Sequence, residues 1–118
     1  LQKTYPSLES SLFFPGPVQE AIKKISDDAY DVVYSMAVLM HLHPSTADSF
    51  WDEIVRVSKK NIISVENEHG STNRNWPRNY RSLFEKRGLR QIYEQRLNKN
   101  TAPDRQLEGY IVRFFKKV

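Results

Sequence analysis

The sequence contains no cysteine and only four glycines among its 118 residues. The lack of cysteine excludes disulfides, thiolate zinc sites and a cysteine nucleophile, and it fits a reducing compartment. We therefore expect a cytoplasmic protein. No apolar run approaches the roughly 20 residues of a membrane helix, and no basic-then-apolar signal peptide is present.

The chain length allows one domain and excludes a two-domain enzyme. Hydrophobic residues make up 39% and charged residues 27% of the sequence, a balance typical of globular rather than disordered chains. The first residue is Leu1 rather than Met. We therefore expect the chain to be a piece of a longer polypeptide.

The net charge of +4 is divided unevenly along the chain. Residues 1–73 hold 6 Lys/Arg and 10 Asp/Glu, whereas residues 74–118 hold 12 and 4. A basic half points to a nucleic acid, an anionic lipid or an anionic substrate, or to a solvated surface. Because the arginines are scattered rather than clustered, a solvated or substrate-facing surface is favoured over a nucleic-acid stripe.

Two hydrophobic periodicities alternate along the chain. Apolar runs at residues 11–14, 30–36 and 61–65 predict strands, and the long run through residue 40 is typical of a strand buried on both faces. Apolar residues at helical spacing predict helices at about 17–26, 45–58 and 78–86. Ser45 is the predicted N-cap of the second helix, and Gly88 ends the third.

The end of the chain predicts a different pairing. Residues 90–97 and 108–116 form two further predicted strands, and their connection is too short for a crossover helix. We expect them to pair antiparallel. The whole pattern predicts an open, mostly parallel α/β sheet that ends in an antiparallel hairpin, with ligands bound beyond the carboxyl ends of the strands.

Three segments carry a resemblance to a known family: residues 30–35 (Tyr-Asp-Val-Val-Tyr-Ser), 38–42 (Val-Leu-Met-His-Leu) and 56–60 (Arg-Val-Ser-Lys-Lys). They resemble the region from the fourth to the fifth strand of class I S-adenosylmethionine-dependent methyltransferases. The resemblance covers about residues 8–118. It implies a partial Rossmann-like sheet with helices on both faces, the cofactor S-adenosylmethionine, and methyl transfer to a small-molecule or sugar-like acceptor.

The sequence departs from this family in one region. The glycine-rich loop after the family's first strand and the acidic residue that ends its second are absent. Residues 1–118 are therefore expected to be the C-terminal portion of the domain, from the third to the seventh strand, and inactive alone. We also expect the strand edge left open in this way to favour a homodimer or a swapped assembly.

The resemblance also implies site residues. Six of them would contact the cofactor, at its adenine or its methionine part: Gly16, Val18, Ser35, Met36, Ala37 and Leu39. His41 and Glu66 are the candidate catalytic residues, since either is able to take a proton from the acceptor. The candidate acceptor-binding residues are His43, Glu68, His69, Arg74, Trp76, Arg78 and Tyr80.

Four residues of this last set, Arg74, Trp76, Arg78 and Tyr80, follow from chemistry as well, because a loop aromatic beside arginines suits a planar or carboxylated molecule. Core packing for the apolar residues and a polar rim loop for the others stay open as structural alternatives. The spacing of the His and Glu residues matches no standard metal site, so no metal is predicted. A non-catalytic basic module that binds RNA or another anion, and a degenerate domain that mediates assembly, are the competing functions.

Overall fold

The computed structural model describes residues 16–70 and 75–118, and these form a mixed α/β structure. Its strands are β1 (Tyr30–Met36), β2 (Ser58–Glu66), β3 (Leu89–Arg96) and β4 (Ile111–Lys117). Its helices are α1 (Val18–Ala21), α2 (Pro44–Val57) and α3 (Tyr80–Glu85), with 3-10 turns at Ile22–Lys24, Leu39–His41 and Arg105–Leu107. The strand predicted at residues 11–14 lies outside the described residues.

The four strands form one sheet in the order β1-β2-β4-β3. β1 and β2 are parallel, whereas β4 lies between β2 and β3 and is antiparallel to both. The predicted antiparallel pairing of the last two strands is confirmed. As a consequence of this order, β1, β2 and β3 all end at the same edge of the sheet, and β4 begins there.

The helices of the described part of the chain share one hydrophobic core with one face of the sheet. Every third or fourth residue of α2 is buried, from Ala47 to Val57, as its apolar period predicts. Trp51 lies at the centre of this core and packs edge-to-face against Tyr80 and Phe84. The second layer of helices implied by the resemblance is not found among residues 16–70 and 75–118. None of the helices in these ranges is long and apolar enough to cross a membrane.

The opposite face of β1 is open to solvent. Tyr34 is 71% exposed, and Val32 and Met36 are each 48% exposed. The prediction that this strand is buried on both faces is therefore wrong for the described residues, because no described element covers the second face. The uncovered side chains are the apolar ones, Val32, Tyr34 and Met36, whereas Val33 and Ser35 on the opposite face are half-buried.

Two helix ends differ from the prediction and one agrees with it. α2 is capped by the ring of His43, whose Nδ1 accepts a 3.1 Å hydrogen bond from the Ser45 amide, so Ser45 is not the cap. Pro44 explains the earlier start, because a proline lacks the amide proton that the first helical position would leave unbonded. Gly88 follows α3 with φ at +90°, as predicted for a helix-ending glycine. The first helix is shorter than the predicted 17–26: α1 ends at Ala21, and a 3-10 turn follows at Ile22–Lys24.

Candidate functional site

The loop after β1 and the loop after β2 meet at the edge where the parallel strands end. Glu66, the last residue of β2, connects the two loops through its side-chain hydrogen bonds to the turn after β1. Its carboxylate is fully buried and accepts hydrogen bonds from the Ser35 hydroxyl at 2.8 Å and from the amides of Val38 and Met40 at 3.3 and 3.2 Å. The carboxylate therefore holds the turn after β1 in place.

The environment of Glu66 bears on its predicted catalytic role. Burial raises the pKa of its carboxyl group, because the charged form loses more to desolvation than the hydrogen bonds of Ser35 and the turn amides return to it. A raised pKa suits a general base. Its oxygens, however, already serve as acceptors for the turn, and the side chain has no exposed surface, so these contacts favour a structural role.

Arg78 also stabilises the turn after β1. Its guanidinium donates to the carbonyl oxygen of Leu39 at 2.8 Å and to that of Leu42, and it lies over the ring of Trp51 with its Cζ 5.2 Å from the ring centroid. Its own amide donates to the carbonyl of Glu68. The structure therefore uses Arg78 to join the two loops rather than presenting it to an acceptor.

The two loop aromatics have different surroundings. Trp76 is half-buried, its amide donates to the carbonyl of Met40 at 3.0 Å, and its ring packs edge-on against His43 at 5.2 Å. Tyr80 is completely buried between α3 and the core, and burial raises the pKa of its hydroxyl above the usual range, helped by the charge of Glu66. Tyr80 therefore does not reach an acceptor in this structure.

The three predicted histidines are all exposed and lie on different segments. His41 ends the 3-10 turn after β1 with an exposed side chain, and His43 is the exposed cap of α2. His69 is exposed beyond β2. Arg74 lies outside the described residues. Across residues 16–70 and 75–118, no group of three or more His, Asp or Glu side chains is placed to hold a metal ion.

Four of the six predicted cofactor-contacting residues line one cavity of about 550 Å³ at the free edge of β1, the edge that pairs with no described strand: Val18, Ser35, Met36 and Leu39. The remaining lining is mainly apolar, with Ile22, Phe50 and Ile54 at its base. Ala37 adjoins it in the left-handed region at φ +55°, and Gly16 is exposed outside it.

The cavity suits the apolar parts of a cofactor. The Ala37 amide donates to the carbonyl of Val65, and the amides of Val38 and Met40 donate to Glu66. These three amides are therefore committed within the protein. They give a cofactor's charged end no donors, so donors for that end must come from other residues.

One buried ion pair at this edge was not predicted. Arg113 of β4 is 5% exposed, and its Nε and Nη2 donate to the two carboxylate oxygens of Glu68 at 2.7 and 3.0 Å. Its Nη1 donates to Gln91 at 2.7 Å and to Glu94 at 2.5 Å. A bulge at Ile92 sets Gln91 and Glu94 on the same side of β3, facing Arg113. The sequence signal was an arginine in register with Ile111 and Phe115, both on the buried face of β4.

Other basic residues of the second half are also bonded within the protein. Arg81 pairs with Glu85, Arg87 with Asp52, and Lys117 with Asp28. Together with Arg78 and Arg113, they remove part of the positive charge from the surface that a nucleic acid would contact.

A polar cleft of about 500 Å³ lies beside the ion pair, between the ends of β2 and β3 and the start of β4. It brings together three predicted acceptor-binding residues, Glu68, His69 and Arg78. It also contains Arg96, the last residue of β3, which was not among the predicted site residues. A signal was available, because β3 runs parallel to β2 and its last residue therefore lies at the edge where β1 and β2 end.

Comparisons with known proteins support the fold. No family model matches the chain, and no curated protein matches its sequence. Among solved structures, the chain is similar to the 1,6-didemethyltoxoflavin-N1-methyltransferase of Burkholderia thailandensis, solved with bound 1,6-didemethyltoxoflavin and S-adenosylhomocysteine. The TM-score is 0.62 at 12% identity, and the match covers 82% of this chain and 48% of that one.

The chain thus spans about half the length of the methyltransferase it matches. At this identity the similarity concerns the fold and not the reaction. The chain has a mixed α/β, partial Rossmann-like fold similar to that of a methyltransferase.

Proposed function

We propose that residues 1–118 are the C-terminal portion of an S-adenosylmethionine-dependent methyltransferase domain that acts on a small-molecule acceptor. The observation that carries this proposal is the structural match over 82% of the chain to a methyltransferase of about twice its length. The resemblance of residues 30–60 to the same class of enzyme supports it independently. The residues that supply the glycine-rich loop would precede Leu1.

The described residues fit one part of such a cofactor. Val18, Met36 and Leu39 would pack against its apolar surface in the cavity at the edge of β1, and Ser35 lies at the same wall. The cofactor supplies a methyl group on a sulfonium, which is a good leaving group. The chain's own contribution is positioning, because Glu66 and Arg78 hold the turn after β1 rigidly beside the cavity.

The two candidate bases, His41 and Glu66, differ in their exposure. The ring of His41, at the end of this turn, is exposed, whereas the carboxylate of Glu66 has no exposed surface. We therefore propose His41 as the base where the acceptor must lose a proton. The competing function, a basic module that binds RNA, loses support because five of its candidate cations are bonded within the protein.

Calorimetric titration of S-adenosylhomocysteine tests the proposal. The 118-residue chain is expected to bind it weakly or not at all, and the polypeptide extended by the residues that precede Leu1 is expected to bind it. Met36→Lys in the extended polypeptide should weaken binding at least about tenfold, since a charged side chain would enter the apolar cavity.

Ile92→Lys is the matched control, because Ile92 is as exposed as Met36 but lies on β3, outside the cavity. It should leave binding unchanged. Absence of binding by the extended polypeptide would remove the methyltransferase proposal. Tight binding by the 118 residues alone would contradict the assignment of the cofactor loop to preceding residues.

A further inference from the structure

The polar cleft beside Glu68 has a defined charge pattern. Three arginines line it, Arg78, Arg96 and Arg113, and Glu68 is the carboxylate among its lining residues. Glu94, which does not line the cleft, also pairs with Arg113. Counting both carboxylates, cations exceed anions by one, and a cleft with such an excess attracts an anion.

The three arginines are not equally available. Arg113 uses four of its five N–H donors on Glu68, Gln91 and Glu94, and Arg78 is directed at backbone carbonyls. Arg96 is exposed at the end of β3, and within the described residues no carboxylate pairs with it. Its guanidinium is therefore the cation that a ligand in the cleft would meet.

A second donor faces the same space. Asn79 lines the cleft, and its Oδ1 accepts the 2.9 Å hydrogen bond from the Ser82 amide that caps α3. Because that oxygen is used for capping, the amide NH₂ of Asn79 is left as a donor. The Glu68 carboxylate on the opposite wall is held by two bonds from Arg113, so its charge is compensated.

We propose that this cleft binds a carboxylate group of the small molecule on which the protein acts, with Arg96 as the residue that determines this specificity. The planar guanidinium matches a carboxylate with two parallel hydrogen bonds. A single available arginine and an excess of one positive charge suit a monoanion rather than a phosphate dianion. That this ligand is the methyl acceptor rests on the proposed function, whereas the anion site itself depends on the cleft alone.

The test is a titration of the ¹⁵N-labelled 118-residue chain with benzoate, benzamide and inorganic phosphate at constant ionic strength, followed through its backbone amide shifts. Benzoate is expected to shift the amides of His69, Arg96 and Ile111 in a saturable way. Neutral benzamide should bind at least about fivefold more weakly, because it lacks the charge that strengthens a hydrogen bond to arginine.

Two variants complete the experiment. Arg96→Gln should weaken benzoate binding about tenfold, the loss expected for one charge-assisted hydrogen bond. Lys99→Gln removes the same charge from an exposed position outside the cleft and should change binding less than about twofold.

The proposal is overturned if benzoate does not bind, if benzamide binds equally well, or if the two variants weaken binding alike. Tighter binding of phosphate than of benzoate would replace the carboxylate by a phosphate group. Specific benzoate binding together with no binding of S-adenosylhomocysteine by the extended polypeptide would keep this site and remove the methyltransferase proposal. The two inferences are therefore separable.

Discussion

Replacing Arg113 by glutamine should destabilise the protein strongly. The side chains of Arg113 and Glu68 are each 6% exposed, so the substitution leaves a buried carboxylate without its counter-charge. Breaking a buried pair in this way costs about 3–5 kcal/mol. In Glu68→Gln/Arg113→Gln no buried charge is left unpaired, since Glu94 is half exposed, so the double variant should be less destabilised than the sum of the single ones, by about 2 kcal/mol.

Urea denaturation followed by the fluorescence of buried Trp51 measures these differences. Arg81→Gln is the control, because the Arg81–Glu85 pair is i,i+4 and largely exposed, and its loss should cost less than about 0.5 kcal/mol. If Arg113→Gln alone does not fold, the double variant is still expected to fold, because it removes both charges of the buried pair. A cost below about 1 kcal/mol for Arg113→Gln, or strict additivity of the two substitutions, would refute the assignment of a buried, coupled ion pair.

Two further predictions concern the loop after β2. The pKa of the Glu66 carboxyl is raised in the folded protein, so the stability of the protein relative to Glu66→Gln should be highest below the ordinary carboxyl pKa. That difference should fall as pH rises through the folded-state pKa; urea titrations at a series of pH values measure it, and a rise with pH would contradict the burial argument. Gly70→Ala should lower the free energy of unfolding more than Gly109→Ala does in the same urea assay. Both glycines have positive φ, but only at Gly70 would a Cβ meet a neighbour, the Cδ of Pro77 at 2.6 Å; equal costs would show that this approach relaxes freely.

Local sequence patterns were sufficient to predict the main elements of the described chain. The apolar runs at residues 30–36 and 61–65 lie within β1 and β2, and the helical spacing from Ala47 predicts the buried face of α2. These elements are predictable because the side-chain periods of helices and strands depend only on residues a few positions apart in the sequence. The order of the strands was not predictable in this way, since the insertion of β4 between β2 and β3 depends on pairing between distant segments.

The candidate site shows the same division. The sequence selected Glu66 and Arg78 as candidate site residues, but it did not reveal that both are committed to the turn after β1. A polar residue after an apolar strand predicts a position, whereas its role depends on which backbone groups need a partner there. Arg113 carried a usable signal, because a charge on the buried face of a strand requires a buried partner.

The uncovered face of β1 connects these results to the proposed function. The described helices cover the face of β1 that carries Val33 and Ser35, and they leave the apolar side chains of Tyr34 and Met36 on the other face exposed. A contiguous apolar surface of this kind is rare on a monomeric protein and marks a place where another part of a protein packs. The free edge of the same strand borders the apolar cavity, where Val18 and Met36 lie together. An additional layer against β1 would cover the exposed face and enclose the cavity, which is the arrangement that the proposed N-terminal portion of the domain requires.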